Sequence, residues 1–370
     1  MKHQHAIIVG GGIVGGAAAL ELLERGWAVT LVEKGAFGSG ASGAAAGMLC
    51  PGAEIFDGDG GASGEIFSLS RQVYPDWVEK LEDGAEMRLQ YRQSGMLRLL
   101  YDEAEALQQR IRAQERGLTW LESEAVRQLE PGIAPTVLGA VLFDEDASVH
   151  PKLLLKALKR VIERRGGNLL EGTPAMSLIA DGHRVNGVET SLGPITGDVV
   201  VLAAGAWSQA LVKPLGIPLP VVPLKGQMVA VSLPPVPISH ILQGPDGMIL
   251  PRWDGSAHIG VTMEQTGFDA RRTIQGVSQI YRAVQPWAPW LRSAEFKTSW
   301  AGLRPMTPDR RPFIGLVPGF PGLVAATGHS SVGIFLAPLT AQLVADAGEG
   351  RPSRVSHPAL YAPLRFMDES

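Results

Sequence analysis

The first apolar run in the chain is short and unbroken: Ala6-Ile7-Ile8-Val9, ending in Gly10-Gly11-Gly12. A run of this kind suits a strand buried on both faces. After the glycines, "AAALELLERG" (17–26) takes up helical spacing, and "WAVTLVE" (27–33) returns to a strand-like run. Further along, "MRLQYRQSGMLRLLY" (87–101), "GAVLFDED" (139–146), "GQMVAVSL" (226–233), "GMILPRW" (247–253) and "SAHIGVT" (256–262) predict strands of a mostly antiparallel sheet. Two of them alternate polar and apolar residues. "PKLLLKALKRVIERRGG" (151–167) predicts a helix, with Lys156, Lys159, Arg160, Arg164 and Arg165 on a solvated face. "LPPVPI" (233–238) and "VQPWAPW" (284–290) read as Pro-rich surface connectors, and "PLRFMDES" (363–370) as a frayed end. The longest apolar stretch, "VVVLAAGAW" (199–207), falls well short of the ~20 residues of a membrane helix.

Composition narrows the class. A chain of 370 residues with 45% hydrophobic and 19% charged positions can bury a large core, and its length suggests two interleaved domains. The net charge of -4 gives no electrostatic footprint for nucleic acid. The single cysteine, Cys50, excludes an intramolecular disulfide and fits a reducing compartment. The eight histidines show no metal spacing. Met1-Lys2-His3-Gln4-His5 leads straight into the first apolar run, so no signal peptide is expected. The expectation is a soluble, cytoplasmic protein without nucleic-acid, membrane or metal partners. Its oligomeric state stays open.

Gly10, Gly12 and Gly15 spell G-x-G-x-x-G between the first strand and the first helix. The first glycine permits the tight turn, the second lets backbone approach a pyrophosphate, and the third lets helix pack on strand. The helix N-terminus supplies amides and partial positive charge. Glu33 ends the second strand, 18 residues past Gly15, where it can bond an adenosine ribose and disfavours a 2′-phosphate. The competing reading is an ordinary glycine-rich turn. From Lys34 to Glu54 the residues are almost all small, as they would be where backbone lies against something flat or bulky; Ser39 and Ser42 could touch phosphate. A flexible linker is the alternative, and Met48-Leu49 speaks for packing.

Arg304 lies within "SWAGLRPMTPDRRPFIG" (299–315), after an apolar run and just before Pro305. A guanidinium stays charged, so it needs an anion or open water. A ligand carboxylate and a nearby acid such as Asp309 are both candidates.

"IIVGGGIVGGAAALELLERGWAVTLVEKG" followed by "GASGAAAGML" resembles the FAD-dependent D-amino-acid oxidase superfamily, and within it the glycine oxidases of thiamine biosynthesis. The segment 171–208, the arginine motif and "GLVAATGHSSVGIFLAPLTAQLVADAG" (322–348) carry the resemblance through the chain. It implies an α/β Rossmann-like FAD-binding domain, about 1–50, 148–223 and 305–370. It also implies an interleaved α+β substrate domain on an antiparallel sheet, about 51–147 and 224–304.

By the same resemblance, Ile13 and Val14 make the first phosphate contacts, Glu33 and Lys34 flank the ribose, and Ala41 and Ser42 meet the pyrophosphate. Ala46, Gly47 and Met48 lie along the isoalloxazine, and Ala175 bonds adenine through its backbone. Gly205 belongs to the cofactor site, and the loop from His329 to Phe335, including Ser330, Ser331, Val332, Gly333 and Ile334, wraps the flavin at its pyrimidine end. Arg304 holds a substrate carboxylate bidentately.

Two positions depart from the pattern. Met248 stands where glycine oxidases place a tyrosine, and Ser331 where they place an arginine. Two polar contacts are thus replaced by an apolar side chain and a short hydroxyl. That implies a larger substrate, an N-substituted glycine such as an N-carboxymethyl amino acid, with oxygen as electron acceptor. Plain glycine oxidation, a D-amino-acid oxidase, a dehydrogenase serving a quinone or protein acceptor, and a flavin-binding subunit of a larger complex stay open.

Overall fold

The computed structural model describes residues 4–57, 62–182, 184–234 and 238–367. Positions 235–237 of the first Pro-rich connector and 368–370 of the terminus lie outside the described residues.

The first apolar run forms the strand His5–Val9 in a six-stranded sheet. Across that sheet the strands run Phe313–Leu316, Leu323–Thr327, Val199–Leu202, His5–Val9, Ala28–Val32 and Asn168–Leu170. All pairings are parallel except the first, which is antiparallel. The unbroken apolarity follows from burial on both faces. Ala6 and Ile8 pack with the helices Ile13–Glu24, Pro151–Arg164 and Gly333–Gly348. Ile7 and Val9 pack on the other side with Leu178, Val185 and Val188. The latter come from a three-stranded antiparallel sheet, Ala175–Asp181, Arg184–Thr190 and Gly193–Thr196.

A second sheet has eight strands. Their order is Phe296–Met306, Val222–Ser232, Ser256–Gly260, Met248–Pro251, Ile241–Gln243, Met96–Leu100, Gly139–Phe143 and Thr119–Glu122. Only Ile241–Gln243 and Met96–Leu100 pair in parallel. All five stretches read as strands enter this sheet. The expected strand over 87–101 shrinks to Met96–Leu100, its earlier part contributing only a bridge from Arg92 to Ser148. The edge strand Phe296–Met306, which carries Arg304, pairs along most of its length with Val222–Ser232. The expected domain limits at 223/224 and 304/305 fall inside these two strands.

Two expectations about loops need correction. The segment 284–290 is not a surface connector: Val284, Trp287 and Ala288 are buried and pack with Leu97, Ile249 and Ile280. Proline there shapes a core segment through tight turns rather than marking exposure. The C-terminal stretch is docked as far as the described residues go. Arg365 pairs with both oxygens of Asp309 at 2.8 and 2.9 Å, and Leu364 and Phe366 pack on the core. Among the described residues, no helix is long and apolar enough to cross a membrane.

Candidate active site

The glycine turn, the small-residue segment and the arginine strand converge on one cavity of about 680 Å³. That is in the upper part of the ~300–1,000 Å³ range of ligand sites. Every residue assigned from the sequence to cofactor or substrate lines it except Gly15. Gly15 sits underneath the turn, where a Cβ would collide with the Gly10 carbonyl oxygen. Gly10 has φ +110, and a Cβ there would run into the backbone of Ala203. Both glycines are therefore required by close approach.

Gly12 caps the helix Ile13–Glu24 without a side-chain bond, and the Ser42 hydroxyl accepts from the Ile13 amide at 2.9 Å. The Glu33 carboxylate accepts from the Gly11 amide at 2.7 Å and the Gly35 amide at 2.8 Å. Sequence reasoning gave this acid to a ribose. The geometry adds that it also clamps the turn, and a carboxylate with about four lone-pair sites has capacity left. Lys34 Nζ lies 3.0 Å above the Trp207 ring, and burial pulls its pKa down. Trp207 follows Gly205, which has φ +54, and its ring lies 5.1 Å from that of Phe268. Trp207 was not anticipated: a lone tryptophan after a strand carries no spacing signal.

The middle of the cavity is walled by the segment 41–48, whose carbonyls are held from the eight-stranded sheet. Arg252 donates to Ala46 O at 2.9 Å and Val149 O at 3.1 Å, and Trp300 Nε1 donates to Ala44 O at 2.9 Å. Arg252 is buried, and desolvation lowers its pKa to about 10. A Cβ at Gly47, φ +85, would strike the Val149 carbonyl. Opposite in sequence, the loop from His329 precedes the helix Gly333–Gly348. His329 is buried against Thr340 Oγ1 at 3.0 Å, and desolvation holds its pKa at about 3, so it is neutral. Ser330 takes φ +48, and its amide donates to Pro305 O at 3.0 Å, tying the loop to the end of the arginine strand.

At the far end stands Arg304, with Met48, Met228, Met248, Val261 and Ser331 in the same wall. Its guanidinium crosses Gly226 on the neighbouring strand, where any Cβ would collide with Cζ and both terminal nitrogens. Among the described residues its one hydrogen bond goes to Thr262 O at a long 3.4 Å. Among the described residues no acid pairs with it, and Asp309, the candidate partner, belongs to Arg365. Burial alone perturbs its titration, downward. A half-buried permanent cation that faces a cavity, without a counter-ion among the described residues, is suited to receive an anion.

The cavity suits an extended dinucleotide at one end: open glycine backbone, a helix N-terminus and a glutamate follow one another along it. A Cβ at Gly40 or Gly205 would meet no atom within 4 Å, so backbone there is bare to the cavity. Arg304 and its apolar neighbours take the other end.

The family model for FAD dependent oxidoreductase, DAO, matches residues 5–347. The chain is 37% identical over 346 residues to the bifunctional protein ThiO/ThiG of Trichormus variabilis, covering 92% of this chain and 52% of that protein. It thus spans about half the length of such bifunctional relatives. The solved structure of glycine oxidase from Geobacillus kaustophilus superposes with a TM-score of 0.92 at 31% identity, over 98% of this chain and 99% of that one. Iminodiacetate oxidase from Chelativorans sp. BNC1 superposes at 0.88 with 28% identity, over 97% and 98%. With the dinucleotide-type turn and a family match over nearly its whole length, the chain belongs to the DAO family of FAD-dependent oxidoreductases.

Proposed function

We propose that this protein is an amine oxidase of the glycine-oxidase type that prefers N-substituted glycines. The observation that carries this reading is Arg304, an unpaired guanidinium facing the cavity from an otherwise apolar wall. The reaction takes a secondary amine, R–NH–CH2–COO−, with O2 and water to R–NH2, glyoxylate and H2O2. Bound FAD supplies the two-electron acceptor for the glycyl C–H and N–H. The protein's task is then positioning and exclusion of water.

In this reading, Ile13, Val14, Ala41 and Ser42 meet the pyrophosphate, and Glu33 and Lys34 the ribose. Ala175 lies against the adenine, and Trp207 joins it. Ala46, Gly47 and Met48 lie along the isoalloxazine, their backbone fixed by Arg252 and Trp300. Gly205 and the loop from His329 to Ile334 close the site. Arg304 grips the carboxylate with its planar fork. Neutral His329 adds no second positive charge to compete for it. Met248 and Ser331 leave room for the N-substituent, which runs along Met228 and Val261. The likeness to iminodiacetate oxidase, an enzyme named for an N-carboxymethyl glycine, supports that choice. We also propose that the six- and eight-stranded sheets centre the two interleaved domains, with the divisions near 223 and 304 moved to the ends of the strands Val222–Ser232 and Phe296–Met306.

Arg304→Lys keeps the charge and loses the fork, and kcat/KM should fall about a hundredfold, near 2.7 kcal/mol. Arg304→Leu should do worse while FAD stays bound. Normal turnover by Arg304→Leu would make the arginine structural and remove the basis of the assignment. Glycine alone as substrate is the second reading, and the relatives named glycine oxidase favour it.

A further inference from the structure

Among the described residues only two acids line the cavity, Glu33 and Glu54. Glu33 is engaged by two backbone amides. Glu54, in the short helix Pro51–Asp57, has no hydrogen-bond or ion-pair partner among the described residues. The cations near it do not serve it. Arg98 is committed to both oxygens of Asp57 at 2.6 and 2.8 Å and to Gln243 at 3.1 Å. Arg310 acts on Glu54 only through space, without an ion pair. Glu54 is solvent-exposed where it faces the cavity beside Met48, Cys50 and Pro51, yet enough protein surrounds it that desolvation, with Asp57 adding to the effect, pushes its pKa up. A carboxylate in that situation gains from a cation brought to it.

Glu54 and Arg304 line one cavity, yet among the described residues no ion pair joins them or engages either one. The two charges stand apart in the cavity. A ligand that satisfies both carries an anion at one end, a cation at the other and a spacer between.

We propose that Glu54 forms a subsite for a cationic group at the far end of the substrate's N-substituent. The substrate class is then an N-carboxymethyl derivative of a diamine or of a basic amino acid. Arg304 holds the glycyl carboxylate, the methionine wall covers the methylenes, and Glu54 receives the terminal ammonium. This inference rests on the N-substituted-glycine reading above.

The test compares two near-isosteric substrates, N-(4-aminobutyl)glycine and N-pentylglycine, in a peroxide-coupled assay of the FAD-loaded enzyme. The ratio of their kcat/KM values is the readout, so a general loss of activity in a variant cancels. The ammonium substrate should lead by about tenfold, the lower end of what a charge-assisted hydrogen bond contributes. Glu54→Gln should bring the ratio to about one or below, and Glu54→Lys should invert it in favour of N-pentylglycine. Equal rates for both substrates in the unmutated enzyme, each above glycine, would overturn the Glu54 subsite and leave the N-substituted-glycine reading standing. A tenfold ratio that survives Glu54→Gln would also overturn it, placing the cation elsewhere. Oxidation of glycine with neither N-substituted compound turned over would sink both.

Discussion

Replacing Gly226 by alanine adds one methyl group and separates the position of Arg304 from its charge. Gly226 lies in the strand Val222–Ser232, paired with Gly302, two residues along from the Leu224–Arg304 pair. Its backbone is ordinary strand, so alanine there is not strained. The added Cβ would meet Cζ, Nη1 and Nη2 of Arg304 closer than real contacts allow. Restoring a van der Waals separation of about 3.5 Å means a retreat of the guanidinium by more than about 1 Å. A long, flexible side chain can make that move at little cost to folding. A displacement of about 1 Å in a positioning group costs on the order of a hundredfold in rate. The expected loss in kcat/KM is therefore about 2.7 kcal/mol, close to that of Arg304→Lys. The assay is peroxide-coupled turnover, with FAD content and Tm measured on the same preparations. Normal turnover with FAD retained would show that the guanidinium does not work from its place over Gly226, and the carboxylate argument would fall. Loss of FAD or of several degrees in Tm would mean that the methyl group disturbs more than Arg304.

Three further outcomes are expected. Glu33→Ala removes both turn clamps and the ribose acceptor; FAD retention, measured by flavin released on dialysis, should weaken by about 1.5–3 kcal/mol, and unchanged retention would count against Glu33 at the ribose. Asp146 is fully buried, accepts from the Gly52 amide at 3.0 Å, and is pushed up to about 7 chiefly by burial. The native state keeps a proton there that the unfolded chain loses near 3.8, so this carboxyl's contribution to stability falls as pH rises from about 4 to about 7, opposing the rise that neutral, desolvated His258 and His329 contribute below about 6.5; Asp146→Asn should therefore make the slope of Tm against pH more positive in that window, and an unchanged slope would count against a protonated Asp146. Met248→Tyr combined with Ser331→Arg should shift preference toward glycine, read as the ratio of kcat/KM for glycine over an N-alkylglycine; an unchanged ratio would mean that these positions do not set substrate size.

The nucleotide half was legible because its determinants are local. An apolar run, three glycines, a helical period and an acid at a fixed offset act within thirty residues, and the physics of a tight turn over a helix N-terminus leaves few alternatives. Arg304 was legible as an oddity, a permanent charge in an apolar run. What held it in place was not legible. Its path across Gly226 depends on register between strands nearly eighty residues apart, and a glycine in a strand announces no partner. The same holds for Arg252 and Trp300, whose bonds go to carbonyls of a segment some two hundred residues earlier. Backbone acceptors leave no trace in side-chain identity. Trp287 and the docked tail through Arg365 show the limit of reading proline and chain ends as exposure. Turn-forming residues fix local direction, and burial is decided by what packs against them.

The central claim is that Arg304 holds a glycyl carboxylate in a cavity enlarged for an N-substituent. The most direct measurement is kcat/KM for glycine, sarcosine and a homologous series of N-alkylglycines in the FAD-loaded, unmutated enzyme. Each methylene laid against the methionine wall should add about 0.8 kcal/mol, so kcat/KM should rise by about fourfold per methylene until the cavity is filled. If glycine outperforms every N-substituted analogue, the enlarged-site account is contradicted.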